Sequence, residues 1–430
     1  MSVANVMCPT VFEADLPTVS YEGAPTPEDA HQALKQARQQ FPIAMGAHGP
    51  EILSYELAHT ALRDHRMAPP PGLGLEAQGI TSGPLWDRVS ATLLSVNGED
   101  HARLRRLVSK AFTPRSVARL DTTIVDIITR LTDPLIAAGR CEVVADIARP
   151  YPVPVICELL GASQQDWQLF SEWADEFFKT FTFKAAEYEP DILKAWGELD
   201  DYVDGMVAER RNAPTDDLIS DLIRTEDDGD RLSMAELRML AGGLLMAGTD
   251  TTRNQVAAAV DVLCDHPEQW DLLADHPELA MKAVEELMRF YPVTFGVMRM
   301  TTEDVEYDGV VIPAGTFVLV NTAAANRDPD VYDDPDRLDI TREGAAPMQS
   351  FGAGTHYCLG SNLARREIAE ALIVMARRMR NLRRAGFAAW KPMVGITGPA
   401  VLPIEFDAAR LNAEHSHSPR RGVCLDFRCA

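Results

Sequence analysis

The sequence contains no uninterrupted apolar run of about eighteen residues, and its most apolar stretch, Leu240 to Ala247, is far too short to cross a bilayer. The first residues, Met1-Ser2-Val3-Ala4-Asn5, lack the basic flank and apolar core of a secretory signal, so a cytoplasmic protein with no membrane anchor is expected. No C-x-x-C pair occurs among the cysteines at 8, 141, 157, 264, 358, 424 and 429. Their odd, scattered number reads as reduced thiols rather than a disulfide framework. Basic residues are outnumbered, 41 against 64 acidic, and a formal charge of -23 argues against a nucleic-acid partner.

What is present is a chain of 430 residues, 46% hydrophobic, long enough to bury a large core. Length alone suggests about two or three domains. One stretch carries unusual chemistry: Phe351-Gly352-Ala353-Gly354-Thr355-His356-Tyr357-Cys358-Leu359-Gly360, followed by the apolar, arginine-bearing segment Ser361 to Met379. A glycine-rich turn lets backbone N–H groups approach a thiolate while the next helix presents its positive end. Alone, such a cysteine is usually a packed thiol. It cannot build a structural zinc site or an all-cysteine iron–sulfur cluster, which need several protein ligands. A planar cofactor bringing four equatorial nitrogens needs only one axial ligand.

The stretch matches F-G-x-G-x-H-x-C-x-G in full, and so resembles the haem-binding loop of the cytochrome P450 family. That resemblance implies Cys358 as the proximal thiolate ligand of a haem b iron, with His356 among the cofactor contacts. It also implies a mainly α fold with a small β-rich lobe, in one catalytic domain spanning residues 1–411. Residues 412–430, with His415, His417, Cys424 and Cys429, read as a disordered tail.

Further motifs follow the family's order. His101 and Arg105 are four apart and share one helix face, suited to two contacts with one anion; alone such a pair is usually a solvated charge face. The resemblance makes them, with Arg299, contacts for the haem propionates. Between Ser233-Met234-Ala235-Glu236, a capping box, and Asp265 lies a long helical pattern. Its centre, Ala247-Gly248-Thr249-Asp250-Thr251, is poor helix material and resembles the family's [AG]-G-x-[DE]-T signature. That implies room for dioxygen at Ala247 and Gly248, a hydrogen-bonding hydroxyl at Thr251, and proton relay from solvent through Asp250. Glu286 and Arg289, three apart, resemble the E-x-x-R helix, whose structural triad is expected to be completed by Arg337; Glu285 is expected to face solvent.

Pocket-wall candidates are Leu85, Trp86, Phe178, Leu244, Ala247, Val293, Phe295 and Val297, for an apolar small-molecule substrate of steroid, terpenoid, fatty-acid or polyketide-like type. Pro69 to Gly74 resembles the variable loop over the substrate cavity, and the helices around Phe178 the pair that opens and closes over it. With no convincing flavin, nicotinamide or iron–sulfur module, electrons are expected from a ferredoxin and its NAD(P)H-dependent ferredoxin reductase. Arg103, Arg106, Lys110, Arg365 and Arg366 are the candidate docking patch. The implied activity is a monooxygenase using O2. A peroxide-driven peroxygenase and a non-catalytic haem sensor are the alternatives; neither needs the Asp250–Thr251 pair.

Overall fold

Ser233 starts the helix on which the fold is hung. Its hydroxyl accepts from the Glu236 N–H at 3.2 Å, and the Glu236 carboxylate accepts from the Ser233 N–H at 2.8 Å, closing the expected capping box. Thirty-one residues follow without a break, Met234–Cys264, a rod roughly 46 Å long at the α-helical rise. The structure, a computed structural model, describes residues 8–227 and 232–409. The tail expected to be disordered at 412–430, with Cys424 and Cys429, lies outside the described residues.

In chain order the helices are α1 (Pro27–Gln40), α2 (Tyr55–Ala61), α3 (Pro84–Ser90), α4 (Gly98–Ser109) and α5 (Pro114–Val117). Next come α6 (Asp121–Ile136), α7 (Pro152–Leu160), α8 (Trp167–Phe178), α9 (Ala185–Asn212) and α10 (Leu218–Asp227). The long rod is α11 (Met234–Cys264), followed by α12 (Pro267–Asp275), α13 (Ala280–Phe290), α14 (Thr322–Ala325) and α15 (Ser361–Arg378). Rod α11 packs against α7, α8, α9 and α15, which explains why most of its length is buried and why its apolar residues form no single stripe.

The strands form four small sheets: the five-stranded one has its own core cluster, while the three-stranded one packs into the main helical core. β1 (Ile43–Gly46), β2 (Gly49–Ile52), β3 (Met67–Ala68), β5 (Val297–Thr301) and β8 (Phe317–Val320) form a sheet in the order β1-β2-β8-β5-β3. A second sheet orders β4 (Arg140–Glu142), β12 (Pro403–Ala408) and β9 (Met379–Arg384) as β4-β12-β9. Two small ribbons pair β6 (Val305–Tyr307) with β7 (Val310–Ile312) and β10 (Ala389–Trp390) with β11 (Pro399–Val401). The fold is therefore mainly helical with a small β-rich lobe. In β5, paired antiparallel with β8, Arg299 stands opposite Val318 and shares a face with Val297 and Thr301, because side chains alternate along a strand.

Two glycines of α11 are there for packing. A Cβ on Gly242 would lie 3.0 Å from Leu199 and 3.2 Å from Trp196 of α9, and one on Gly248 would lie 3.3 Å from Ile156 of α7. Gly248 thus lets two helices approach, instead of making room for dioxygen as its motif suggested. The space beside α11 is left by Ala247, exposed in the middle of an otherwise buried helix.

Candidate active site

The loop before α15 is shaped by two left-handed glycines, Gly352 and Gly354, each at φ 68°. At Gly354 a side chain would also collide with the Leu62 carbonyl, 2.6 Å from the Cβ position. The turn brings the Cys358 N–H to the Phe351 carbonyl at 2.9 Å and leaves the cysteine partly exposed just ahead of α15. Burial pushes the Cys358 thiol up, against the pull of the Gly360 N–H and the guanidiniums of Arg105 and Arg365. The bare thiol therefore keeps its proton, and a metal must displace it to bind.

Around this loop gather four groups able to carry positive charge. The His101 and His356 rings lie 4.0 Å apart. Arg105 on α4 donates to the Tyr357 carbonyl at 2.5 Å, and Arg299 on β5 is buried with a hydrogen bond to the Met298 carbonyl at 2.9 Å. His356 is driven down to about 3 by burial and by His101, Arg299 and Arg105; His101 is lowered by burial and by Arg105. Burial alone lowers Arg299 to about 10. Both ring nitrogens of His101 are buried without a partner, and among the described residues no carboxylate lies within ion-pair distance of any of the four. Two partly or fully buried guanidiniums and two imidazoles, one with both nitrogens unpartnered, are costly to hold together unless an anion joins them. A planar group bearing two carboxylates fits that demand, so the residues present suit a haem.

Along α11 the Thr251 hydroxyl donates to the Ala247 carbonyl at 3.1 Å, and Thr251 remains partly exposed. Leu244, two turns before Thr251, is buried. Asp250 points elsewhere: it is 3% exposed and accepts from Arg253 Nε at 2.5 Å and Asn254 Nδ2 at 3.0 Å. Arg253 also pairs with Asp175 of α8 and lies 3.3 Å from the Ser171 hydroxyl; Asp175 is held by Arg149 at 2.5 Å. Lys391 Nζ stands 3.8 Å from Asp250, its amine lowered by burial. Asp250 thus reaches solvent only through a chain of ion pairs. The signal for it was Arg253, three residues on and therefore on the same helix face.

The buried triad differs from expectation. Arg289 donates to Glu286 at 2.8 and 2.9 Å, but the third guanidinium is that of Arg342, whose Nε lies 3.2 Å from each Glu286 oxygen. Arg337 offers only its carbonyl, to Arg289 and Arg342; its side chain is exposed and pairs with Asp334 and Asp339. Glu285 is not an idle neighbour, since it pairs with Arg365, which lies over the Phe351 ring at 4.4 Å.

The pocket-wall candidates divide. Leu85 is fully buried in the main core, and Phe295 packs against Tyr21 and His31 with ring centroids 5.7 and 5.5 Å away, so neither has surface to offer a substrate. Val293 is buried, whereas Val297 is partly exposed beside Gly352. Trp86 is partly buried and fills the space over Gly72, and Phe178 belongs to an aromatic group with Phe177 and Phe181. Of the docking patch, Arg103 pairs with Glu236, Arg365 with Glu285 and Arg366 with Asp121, so much of its charge is neutralised within the chain.

Among the described residues no helix is long and apolar enough to cross a membrane. Residues 88–274 and 269–382 match the family model described as Cytochrome P450. The chain is 35% identical over 401 residues to luteothin monooxygenase of Streptomyces thioluteus, covering 92% of this chain and 97% of that protein. It is 38% identical over 361 residues to mycinamicin IV hydroxylase/epoxidase of Micromonospora griseorubida, covering 82% and 88%. The crystal structure of CalO2 superposes with a TM-score of 0.85 at 32% identity, over 91% of this chain and 99% of that one.

Proposed function

Because the chain belongs to the cytochrome P450 family and is a monooxygenase of it, we propose that it holds haem b through Cys358 and inserts one atom of O2 into a bulky apolar natural product. The observation that carries this reading is the cluster of two guanidiniums, Arg105 and Arg299, and two imidazoles, His101 and His356, beside the Cys358 loop, with no carboxylate of the described residues within ion-pair distance. Bound there, haem supplies the iron on which dioxygen is reduced.

The chain's own residues do the rest. The cluster binds the two propionates and fixes the plane of the cofactor. The Gly360 N–H and the start of α15 temper the charge on the Cys358 sulfur. Thr251 positions a proton at its hydroxyl, and Asp250 resupplies it, drawing on the Arg253–Asp175–Arg149 chain. Helices α8 and α9, packed on α11, cover the pocket and exclude water, while Ala247, Val297 and Phe178 present apolar surface. The relatives named luteothin monooxygenase and mycinamicin IV hydroxylase/epoxidase favour a polyketide-like molecule among the apolar substrate classes. Electrons come from a ferredoxin and its NAD(P)H-dependent reductase.

The test is reconstitution. Candidate substrates are ranked by the spectral shift they cause in the haem-loaded protein, then turned over with ferredoxin, reductase and NAD(P)H under isotopically labelled dioxygen. One labelled oxygen per product is expected. Equal turnover with peroxide alone, in the absence of reductase, would make the enzyme a peroxygenase instead.

A further inference from the structure

Asp250 is held by groups that differ in what they can give it. Arg253 donates to its Oδ1 at 2.5 Å and the Asn254 side-chain amide at 3.0 Å, while Lys391 Nζ stands 3.8 Å from the same oxygen. A guanidinium keeps its protons at any working pH, and an amide does not ionise there. Of these three groups only the ammonium can part with a proton and take another from water. The Arg253–Asp175–Arg149 chain therefore orders the carboxylate, whereas the proton itself needs a titratable point of entry.

Lys391 is built into its position. It follows β10 at the start of the turn to β11; its N–H donates to the Gly398 carbonyl at 3.0 Å, and its carbonyl accepts from the Thr397 hydroxyl at 3.0 Å. The preceding Trp390 donates its indole N–H to Asp261 at 2.8 Å, and Lys391 Nζ donates to Asn254 Oδ1 at 2.9 Å. Asn254 and Asp261 are two turns apart on one face of α11, so the segment lies down on the helix at both points. Gly398, at φ 143°, permits the approach, since a Cβ there would lie 2.8 Å from Asn254 Cβ and Oδ1. The Asn254 amide also donates to the Asp250 backbone carbonyl at 2.7 Å. One side chain thus holds Nζ and the carboxylate toward each other. The lysine side chain keeps 34% of its surface in solvent, against 5% for Asp250.

We propose that Lys391 is the point at which protons enter the relay, passing one to Asp250 each time that carboxyl has given its own to the Thr251 hydroxyl. This rests on the reading of Asp250 and Thr251 as the proton relay of a haem monooxygenase. In the step an N–H bond of the ammonium breaks and an O–H bond forms on Asp250 Oδ1; the neutral amine left behind takes its proton back from water at the surface. Nζ has about 1 Å to close, within the reach of a flexible four-carbon stem. The proton affinities of a free ammonium and a free carboxylate differ by a factor of roughly 10⁶, which still allows on the order of 10⁶ transfers per second, far above ordinary turnover. Burial pushes the Lys391 ammonium down and so eases the transfer; of the charges facing it, Asp250 and Asp175 raise it while Arg253 and Arg149 lower it.

The test compares Lys391→Met with Lys391→Arg in the full-length, haem-loaded chain, supplied with ferredoxin, reductase, NAD(P)H and the candidate polyketide that gives the largest spectral shift. Arginine keeps a positive charge beside Asp250 but yields no proton. Both variants are expected to lose about tenfold in product per NAD(P)H consumed, less than removal of the relay carboxyl costs because water stands in for part of the supply. In the parent that ratio should fall on the alkaline side as the ammonium empties, and in both variants the alkaline fall should be absent. Parent-like coupling in Lys391→Arg would make the lysine a mere countercharge and overturn the proposal. A second readout is independent of turnover: NMR titration of isotopically labelled lysine in the reduced, carbon monoxide-bound protein. Lys391 should titrate below the other lysines, and lower still in Asp250→Asn, which removes its facing carboxylate. Titration together with the other lysines, unmoved by that substitution, also overturns the proposal. A parent that makes no product at all sinks the functional reading and the proposal with it, whereas an active parent matched by its arginine variant sinks the proposal alone.

Discussion

Arg342 Nε lies 3.2 Å from both carboxylate oxygens of Glu286, completing a buried cluster that Arg337, five residues earlier, reaches only with its backbone. Removing Arg342 leaves Glu286 with half its countercharge in a site where it is 5% exposed. Arg342→Met is therefore expected to cost about 3–5 kcal/mol of stability and to accelerate haem loss, as breaking one member of a buried ion cluster does. Arg337→Met, at a surface pair, should stay within about 0.5 kcal/mol of the parent. Chemical denaturation of the two variants side by side checks the assignment.

The cluster of His101, Arg105, Arg299 and His356 makes a separate prediction. If His101 and Arg299 hold the propionates, each of His101→Phe and Arg299→Ala removes a charge-assisted hydrogen bond worth about 1.5–3 kcal/mol, or roughly 10- to 100-fold in haem dissociation. Transfer of haem to excess apomyoglobin measures that rate. An unchanged rate in both variants would place the propionates elsewhere.

Asp250 and Thr251 should separate binding from chemistry. Asp250→Asn and Thr251→Ala are expected to lower product formed per NAD(P)H consumed by about a hundredfold, the lower end of the usual range for a positioned proton-transfer group, with ligand affinity unchanged. Arg253→Met differs, because it leaves buried Asp250 with only the more distant Lys391, at 3.8 Å, as countercharge and takes one of the two guanidiniums from Asp175; it should lower thermal stability as well as coupling. Coupling ratios and melting temperatures measured on the same preparations resolve the two effects.

Glu51 supplies a pH dependence unrelated to the iron. Its carboxyl is buried, accepts from Tyr21 Oη at 3.0 Å and Asn321 Nδ2 at 2.8 Å, and burial raises it from 4.5 to about 7. The folded chain therefore holds this proton more tightly than the unfolded chain. The neutral carboxyl's contribution is complete below about pH 4.5 and is lost as pH rises through 7, on the order of 3 kcal/mol in all. Glu51→Gln removes the titration. The variant should gain stability over the parent as pH is raised from 5 to 8, and calorimetric melts across that range should show the difference growing; a constant difference would contradict it.

Motifs that lie on regular elements were legible. His101 and Arg105 on α4, Glu286 and Arg289 on α13, and the capping box of α11 all follow from helical spacing alone, since residues three and four apart must share a face. The meander between α14 and the cysteine loop has no such period, so nothing in Arg337 or Arg342 says which turns inward. Gly248 and Phe295 misled for a related reason: a motif position names a residue type, whereas its neighbour in space, Ile156 or Tyr21, comes from a distant part of the chain. The ion-pair chain from Asp250 to Arg149 spans three segments and was visible only at its first step, Arg253.

The most direct test of the whole account is the absorption spectrum of the reduced, carbon monoxide-bound protein before and after Cys358→His. The parent should show the red-shifted Soret band of a thiolate-ligated haem, and the variant, if it keeps haem, the band of an imidazole-ligated one. A parent spectrum already of the imidazole type, or a thiolate-type band that survives the substitution, would contradict the assignment of Cys358 as the iron ligand.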